Sequence, residues 1–342
     1  MEYHLSFIYI FLIIIIIFIF WKYFNRQDNG NIINVENFTT AETHMYMKKF
    51  FKKIEKTNMF FHYRDFDTDN AVIRMNLDTL YSVAILDASQ DDIKLVIPHI
   101  NDRYFSCCVL DEEHYEVLFT NEGGSYMFPK TNKYLVCLIR ILVKDNSNEN
   151  EIKIVNNIQD NIYIESNNYS TNLSLPDFDF DSYKYTKELI NKLFETAPTM
   201  SSIGMFGKKG EVNELKHIMG VNMGWGGLSE KYAYYESIIP ENNDGYQEYS
   251  LSFNEVPVNA FWSIIIYDKN GFIIQGDRQS LNNFTAKKNK DKSYTINFSN
   301  DSQKINQLDI INGWNYTIRM YEPKEEILKG EWKFPELIEI KK

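Results

Sequence analysis

What most constrains this chain is a succession of short apolar segments, each closed by a turn or a breaker, at spacings of roughly ten residues. Ile93–Ile97 ends at Pro98, and Tyr104–Leu110 at Asp111-Glu112. Tyr115–Thr120 ends at Asn121-Glu122-Gly123-Gly124, and Tyr134–Val143 runs into the polar stretch Lys144–Glu151, read as a loop. Long helices do not alternate with these segments. The pattern therefore predicts an antiparallel sandwich or barrel rather than a doubly wound parallel sheet. The second half repeats it. Val258–Tyr267 is strongly apolar, Asp268-Lys269-Asn270-Gly271 is a hairpin signal, and Phe272–Gln275 returns. Tyr294, Ile296 and Phe298 alternate with Thr295 and Asn297. Tyr316, Ile318 and Met320 alternate with Asn315, Thr317, Arg319 and Tyr321. That period of two marks half-buried antiparallel strands.

Helical signals are few. Thr39-Thr40-Ala41-Glu42 reads as a capping box. Met47, Phe50, Phe51 and Ile54 follow it on one helical face. Tyr183–Phe194 and Lys208–Met219 read as helices, and Ser229 as the N-cap of a helix over Glu230–Ser237. The fold class is mainly β (α+β). The expected order is a transmembrane helix at 5–22, a linker at 23–38, a β domain at 39–165, a helical connection at 166–240 and a second β domain at 241–342.

The transmembrane expectation rests on an uncharged apolar run long enough to span a bilayer. A cleaved signal would want a basic start and a small-residue cleavage site; instead the start carries Glu2 and His4, and the exit Trp21-Lys22-Tyr23-Phe24-Asn25-Arg26 suits a membrane interface. An uncleaved single-pass anchor makes the membrane the first expected partner. Lys22 and Arg26 after the span would leave the bulk of the chain in the cytosol. Seven glycosylation-type triplets, at Asn37, Asn168, Asn172, Asn283, Asn297, Asn300 and Asn315, point the other way, and orientation stays open.

A net charge of -11 argues against nucleic acid as a partner. Cys107, Cys108 and Cys137 lie in apparent strands without Cys-x-x-Cys spacing and read as buried small hydrophobes. The six histidines show no metal-ligand spacing, and no nucleophile elbow occurs. No metal or cofactor is expected. Trp225, Trp262 and Trp314 read as core or sheet-packing residues rather than ligand platforms.

The candidate site is Arg74, Asn76, Asp78 and Tyr81, with Arg103 and His62. Read as one strand, Arg74–Asp87 opens polar and continues as core, so that Arg74, Asn76 and Asp78 would share one face. Two readings stay open. In one, the polar group faces a cleft; in the other, it is a buried ion pair that fixes the fold.

Arg74–Asp87, with Phe61-His62-Tyr63-Arg64 before it and Arg103-Tyr104 and Asp111 after it, closely resembles the family called domain of unknown function 1254. Ala260-Phe261-Trp262-Ser263, Tyr267-Asp268 with Gly271-Phe272, Arg319-Met320-Tyr321-x-Pro323 and Trp332-x-x-Pro335 resemble its usual partner, domain of unknown function 1214. Trp225-Gly226-Gly227 and Thr285-Ala286-Lys287-Lys288 look like a subgroup with bacterial and large-DNA-virus members. The resemblance implies two jelly-roll-like antiparallel β-sandwich domains with intervening helices, and no established reaction. Two functions follow as expectations. The first is a membrane-anchored protein whose β domains form a cleft that binds, or hydrolyses, a small molecule or carbohydrate. The second is a non-enzymatic virion or cell-surface protein that binds a glycan or protein. Association with a further copy of the chain is left open.

Overall fold

The computed structural model describes residues 30–66, 73–196 and 201–341. The apolar run at 5–22 lies outside them, and among the described residues no helix is long and apolar enough to cross a membrane.

Helix α1 (Phe38–Ile54) buries Phe38, Ala41, Met47, Phe50 and Ile54 along one side, as the spacing predicts. The capping box does not form. Asn37 is the N-cap residue, and Glu42 is buried, taken by the Tyr183 hydroxyl and by Lys187 Nζ at 2.8 Å. A carboxylate held by tertiary partners cannot reach back to its own helix start.

The N-terminal half carries β1 (Phe60–His62), β2 (Thr79–Asp87), β3 (Ile93–Ile97), β4 (Phe105–Leu110), β5 (Glu116–Thr120), β6 (Gly124–Phe128), β7 (Tyr134–Leu142) and β8 (Tyr163–Glu165). Five of them form one antiparallel sheet in the order β1-β2-β7-β4-β5, and β6-β3-β8 form a second. Leu80, Ala84 and Leu86 of β2 pack with Ile93 and Leu95 of β3 in the core between the sheets. Helix α2 (Glu149–Gln159) stands partly where a loop was expected. Asn148 caps it by accepting from the Asn150 amide, and Ile152, Val155 and Ile158 reach the same core.

Helices α3 (Phe180–Glu195) and α4 (Glu214–Gly224) connect the halves. The C-terminal half contains β9 (Ala233–Ile238), β10 (Tyr249–Phe253), β11 (Trp262–Tyr267), β12 (Ser280–Asn282), β13 (Tyr294–Phe298), β14 (Gln307–Leu308), β15 (Asn315–Tyr321), a short α5 (Glu325–Leu328) and β16 (Ile338–Glu339). Its sheets run β12-β11-β15-β9 and β14-β13-β10-β16, with β13 and β14 parallel. The helix expected at Glu230–Ser237 is instead largely edge strand β9, paired with β15 from Ala233↔Tyr321 to Ile238↔Tyr316. The return over Phe272–Gln275 shrinks to a single bridge, Tyr267↔Ile273.

The architecture is thus α+β with two antiparallel sandwiches. β15 differs from expectation in one respect: all seven of its residues are buried. Its polar face does not meet water. It meets the N-terminal half across a third core in which Val83, Leu138 and Phe50 join Trp225, Phe261 and Tyr321.

Candidate functional site

The strand that carries Tyr81 begins at Thr79, not at Arg74. Residues 73–74 form a turn and 77–78 a bend, and Arg74 has a left-handed φ of 54°. The Asn76 carboxamide oxygen accepts from the Asp78 backbone amide at 2.8 Å, a local bond that competes with strand pairing. The period-two argument for Arg74, Asn76 and Asp78 therefore fails, and Asp78 parts from the other two. Asn76 is buried and donates to Thr79 Oγ1 and Tyr321 Oη. Asp78 is sealed at 1% exposure; Asn282 Nδ2 donates to one carboxylate oxygen at 3.3 Å, and the other has no partner. Burial raises its pKa, although the Ser263 hydroxyl, Arg319 and Asn282 oppose the rise.

Arg74, Asn76 and Tyr81 do meet around a cavity of about 220 Å³ between the two sandwiches. β2 and β7 supply Tyr81, Val83, Leu138 and Arg140; β9 and β15 supply Tyr235, Ser237, Thr317, Arg319 and Tyr321. Phe50, Met223 and Trp225 add apolar wall. Arg140 and Arg319 are lining residues that the sequence did not mark as ligands. Each sits mid-strand among buried neighbours. Arg140 follows Leu135-Val136-Cys137-Leu138-Ile139, where a lone cation is the anomaly that could have revealed it.

Arg140 faces Tyr81 across the β2–β7 ladder, and its Nε donates to Tyr81 Oη at 3.2 Å. Its Nη2 donates to the Gly226 carbonyl, and its buried Nη1 has no partner. Arg319 Nη2 donates to the Arg74 carbonyl at 2.7 Å, and its Nη1 is likewise buried without a partner. Arg74 Nη1 donates to Asn315 Oδ1 and Thr317 Oγ1. Arg74 and Arg319 share the Tyr267 ring, at 5.6 and 5.7 Å from its centroid. Among the described residues the arginines in ion pairs are Arg64 and Arg103; these three have neutral oxygen partners instead. Asp65, exposed, is the sole carboxylate among the described lining residues.

The electrostatics follow. Burial pushes the Tyr81 phenol up, but Arg140's charge and hydrogen bond, with Arg319 and Asn76, outweigh it and leave the phenol below its usual range. Burial works against the charge on Arg140 and Arg319, yet nearby phenols, and Asp78 beside Arg319, hold both firmly charged. The Tyr321 and Tyr235 phenols are raised by burial.

Trp225-Gly226-Gly227 aims Arg140. Gly226 has φ +82°, its carbonyl accepts from Arg140, and its amide donates to His114 Nε2 at 2.8 Å. His114 must be neutral to accept, and burial, helped by His217, holds its pKa well below the usual value. A side chain at Gly227 would overlap the Phe206 ring at 2.3 Å. Trp225, read from sequence as packing, is buried and lines the cavity, with Nε1 donating to Thr43.

The other candidates lie elsewhere. Arg103 is buried against Asp102, Glu151 and the Leu142 carbonyl. His62 Nδ1 bonds Ser82 Oγ at 2.7 Å on the face of β2 opposite Tyr81, and its pKa is lowered to about 4 by burial and Arg64. Ser82 is fully buried, so this pair presents no nucleophile to the cavity. Of the glycosylation candidates, Asn172 and Asn300 are exposed and Asn37, Asn168, Asn283 and Asn297 are half-buried. Asn315 is a correction: it is buried, its Nδ2 donates to the Asp268 carbonyl and its Oδ1 accepts from Arg74. Cys107, Cys108 and Cys137 are buried free thiols, and Trp262 and Trp314 are core.

Residues 57–137 match the family described as protein of unknown function (DUF1254), and residues 239–325 match protein of unknown function (DUF1214). No curated protein matches. The crystal structure of the VPA0106 protein from Vibrio parahaemolyticus is similar at 19% identity and TM-score 0.68, over 90% of this chain and 98% of that one. A putative uncharacterized protein from Burkholderia cenocepacia is similar at 11% identity and TM-score 0.54, over 89% and 87%. At these identities the likeness shows the fold alone.

Proposed function

We propose that this chain, which pairs a DUF1254 region with a DUF1214 region, binds a small organic anion, a carboxylate on an apolar body, in the cavity between its two sandwiches. One observation carries the reading. Two buried guanidinium groups, those of Arg140 and Arg319, each leave an Nη1 without a partner beside the same cavity. A buried unpaired donor on a charged group costs about 1–3 kcal/mol or more, and an anion would recover that cost through charge-assisted bonds. The apolar wall selects the rest of the ligand. A cavity of roughly 150 Å³ holds benzene, so 220 Å³ has room for a ring or short chain with its carboxylate. A sugar would leave hydroxyls against Phe50, Val83, Leu138 and Met223, which offer them no partner. The two sandwiches take the jelly-roll form that the family resemblance implies, and residues 5–22 anchor them to a membrane.

The test is calorimetric titration with matched acids and amides: phenylacetate against phenylacetamide, and hexanoate against hexanamide. The acids bind and the neutral amides do not. Equal affinity for acid and amide refutes the anion reading.

A further inference from the structure

We propose that the C-terminal sandwich carries a second, separate site, which takes an organic ammonium ion against Glu236. Strand β9 divides the two sites by its pleat. Tyr235 faces the anion cavity, opposite Arg319 of β15, and Ser237, opposite Thr317, borders both cavities. Tyr234, Glu236 and Ile238 alternate with Tyr235 and line another cavity, of about 460 Å³, whose wall also includes Trp332 and Phe334, with the exposed Lys333 at its mouth.

Glu236 is the chemical anomaly there. Its cross-strand neighbour is Ile318, flanked by Tyr316 and Met320, so the ladder gives it no cation. Among the described residues its carboxylate makes no ion pair or hydrogen bond; the cation whose charge reaches it is Lys333, itself exposed at the mouth. Half-burial in this apolar setting raises its pKa. The surroundings are aromatic. The phenols of Tyr234 and Tyr316 both lie close enough to feel its charge. Trp332 and Phe334 meet edge to face at 4.9 Å.

A lone carboxylate in a cavity lined by Tyr234, Trp332 and Phe334 suits one ligand class better than others. A hard metal ion wants about six or more oxygens, and only one carboxylate is present. A second carboxylate would be repelled. An alkylated ammonium has a diffuse charge that Glu236 can balance and apolar groups that Tyr234, Trp332 and Phe334 can cover. Lys333, standing at the mouth, would compete with that ligand for Glu236.

The probe is tetramethylammonium chloride, titrated calorimetrically into the full-length protein at pH 7.5, with sodium chloride as the reference. Saturable binding is expected for tetramethylammonium alone. Glu236→Gln should weaken it about tenfold or more, the scale of one desolvated charge contact. Trp332→Leu should also weaken it, and Lys333→Ala should tighten it by removing the competitor. Heats equal to those of sodium chloride, or equal affinity in Glu236→Gln, overturn the proposal. Should Glu236→Gln fail to fold, Lys333→Ala decides: unchanged or weaker binding overturns it. None of these variants touches Arg140 or Arg319, so this test and that of the anion cavity fail independently.

Discussion

Replacing Arg140 by Met asks directly whether this cation is scaffold or ligand. Met keeps an unbranched apolar stem and removes the guanidinium. On the stability side two effects oppose. Relief of a buried charge is worth several kcal/mol. Against it, the Gly226 carbonyl loses its Arg140 donor and Tyr81 Oη loses Arg140 Nε. Each loss costs about 1–3 kcal/mol if water does not replace the bond. The balance falls within about 2 kcal/mol of zero, so the melting temperature moves by a few degrees at most. Ligand affinity has no such cancellation. Loss of one charge-assisted hydrogen bond, about 1.5–3 kcal/mol, weakens a carboxylate roughly 10- to 150-fold. The assay is thermal melting of the wild type, Arg140→Met and Arg140→Lys with increasing phenylacetate. The wild type should gain stability with ligand, Arg140→Met should gain almost none, and Arg140→Lys should fall between, since an ammonium keeps charge without the planar fork. If Arg140→Met collapses by more than about 4 kcal/mol, or binds phenylacetate like the wild type, the arginine is structural and the reasoning fails.

Asp78→Asn follows from linkage. Burial raises the Asp78 pKa above its unfolded value, so the native state binds the proton more tightly and stability falls as pH rises from the unfolded pKa through the folded one. The variant should therefore melt at or above the wild type at pH 7, with the difference shrinking toward pH 4; a loss of about 3 kcal/mol at pH 7 would mean instead that a buried Arg319 had been stranded. Gly226→Ala forces a side chain onto φ +82° and sets its Cβ 3.1 Å from Leu138 Cδ1. It should cost about 1–2 kcal/mol in a denaturant titration and also weaken phenylacetate by displacing the carbonyl that holds Arg140. Deleting residues 1–27 should move the protein from the membrane pellet to the supernatant with its melt preserved; a folded fragment still in the pellet would refute the single anchor.

The strands were legible because their cores obey a short-range rule. Tyr294–Phe298 and Asn315–Tyr321 appear where alternation places them, since one buried face is enough to fix period and register. Long-range pairing was not legible. Ser229 before Glu230–Ser237 resembles a helix start, yet Ala233–Ile238 is strand because β15 offers it a free edge. Helix α2 was within reach: Asn148 followed by Ile152, Val155 and Ile158 has both cap and spacing. The site was largely legible. Arg74, Asn76 and Tyr81 line the cavity, whereas Asp78 is sealed away from it behind a turn that Asn76 itself makes. Arg140 and Arg319 stood in the sequence as cations inside apolar strands, but only the docking of two distant sheets places them beside one space.

That docking also accounts for the placement of charge. A chain with a net charge of -11 has carboxylates in plenty. Paired with any of them, Arg74, Arg140 and Arg319 would cost less to bury than they do without a carboxylate partner. Instead they lean on a phenol, a threonine hydroxyl and backbone carbonyls. If these arginines only had to hold the fold, apolar residues of similar volume would do so as well or better. The N-terminal sheet contributes Arg140 and Tyr81, and the C-terminal sheet contributes Arg319 and Thr317. Neither half alone surrounds the space between them. An anion seated there offsets repulsion among cations that come from both halves, so its binding energy also becomes adhesion between the sandwiches. On this argument the N-terminal and C-terminal halves each supply part of the same charge cradle.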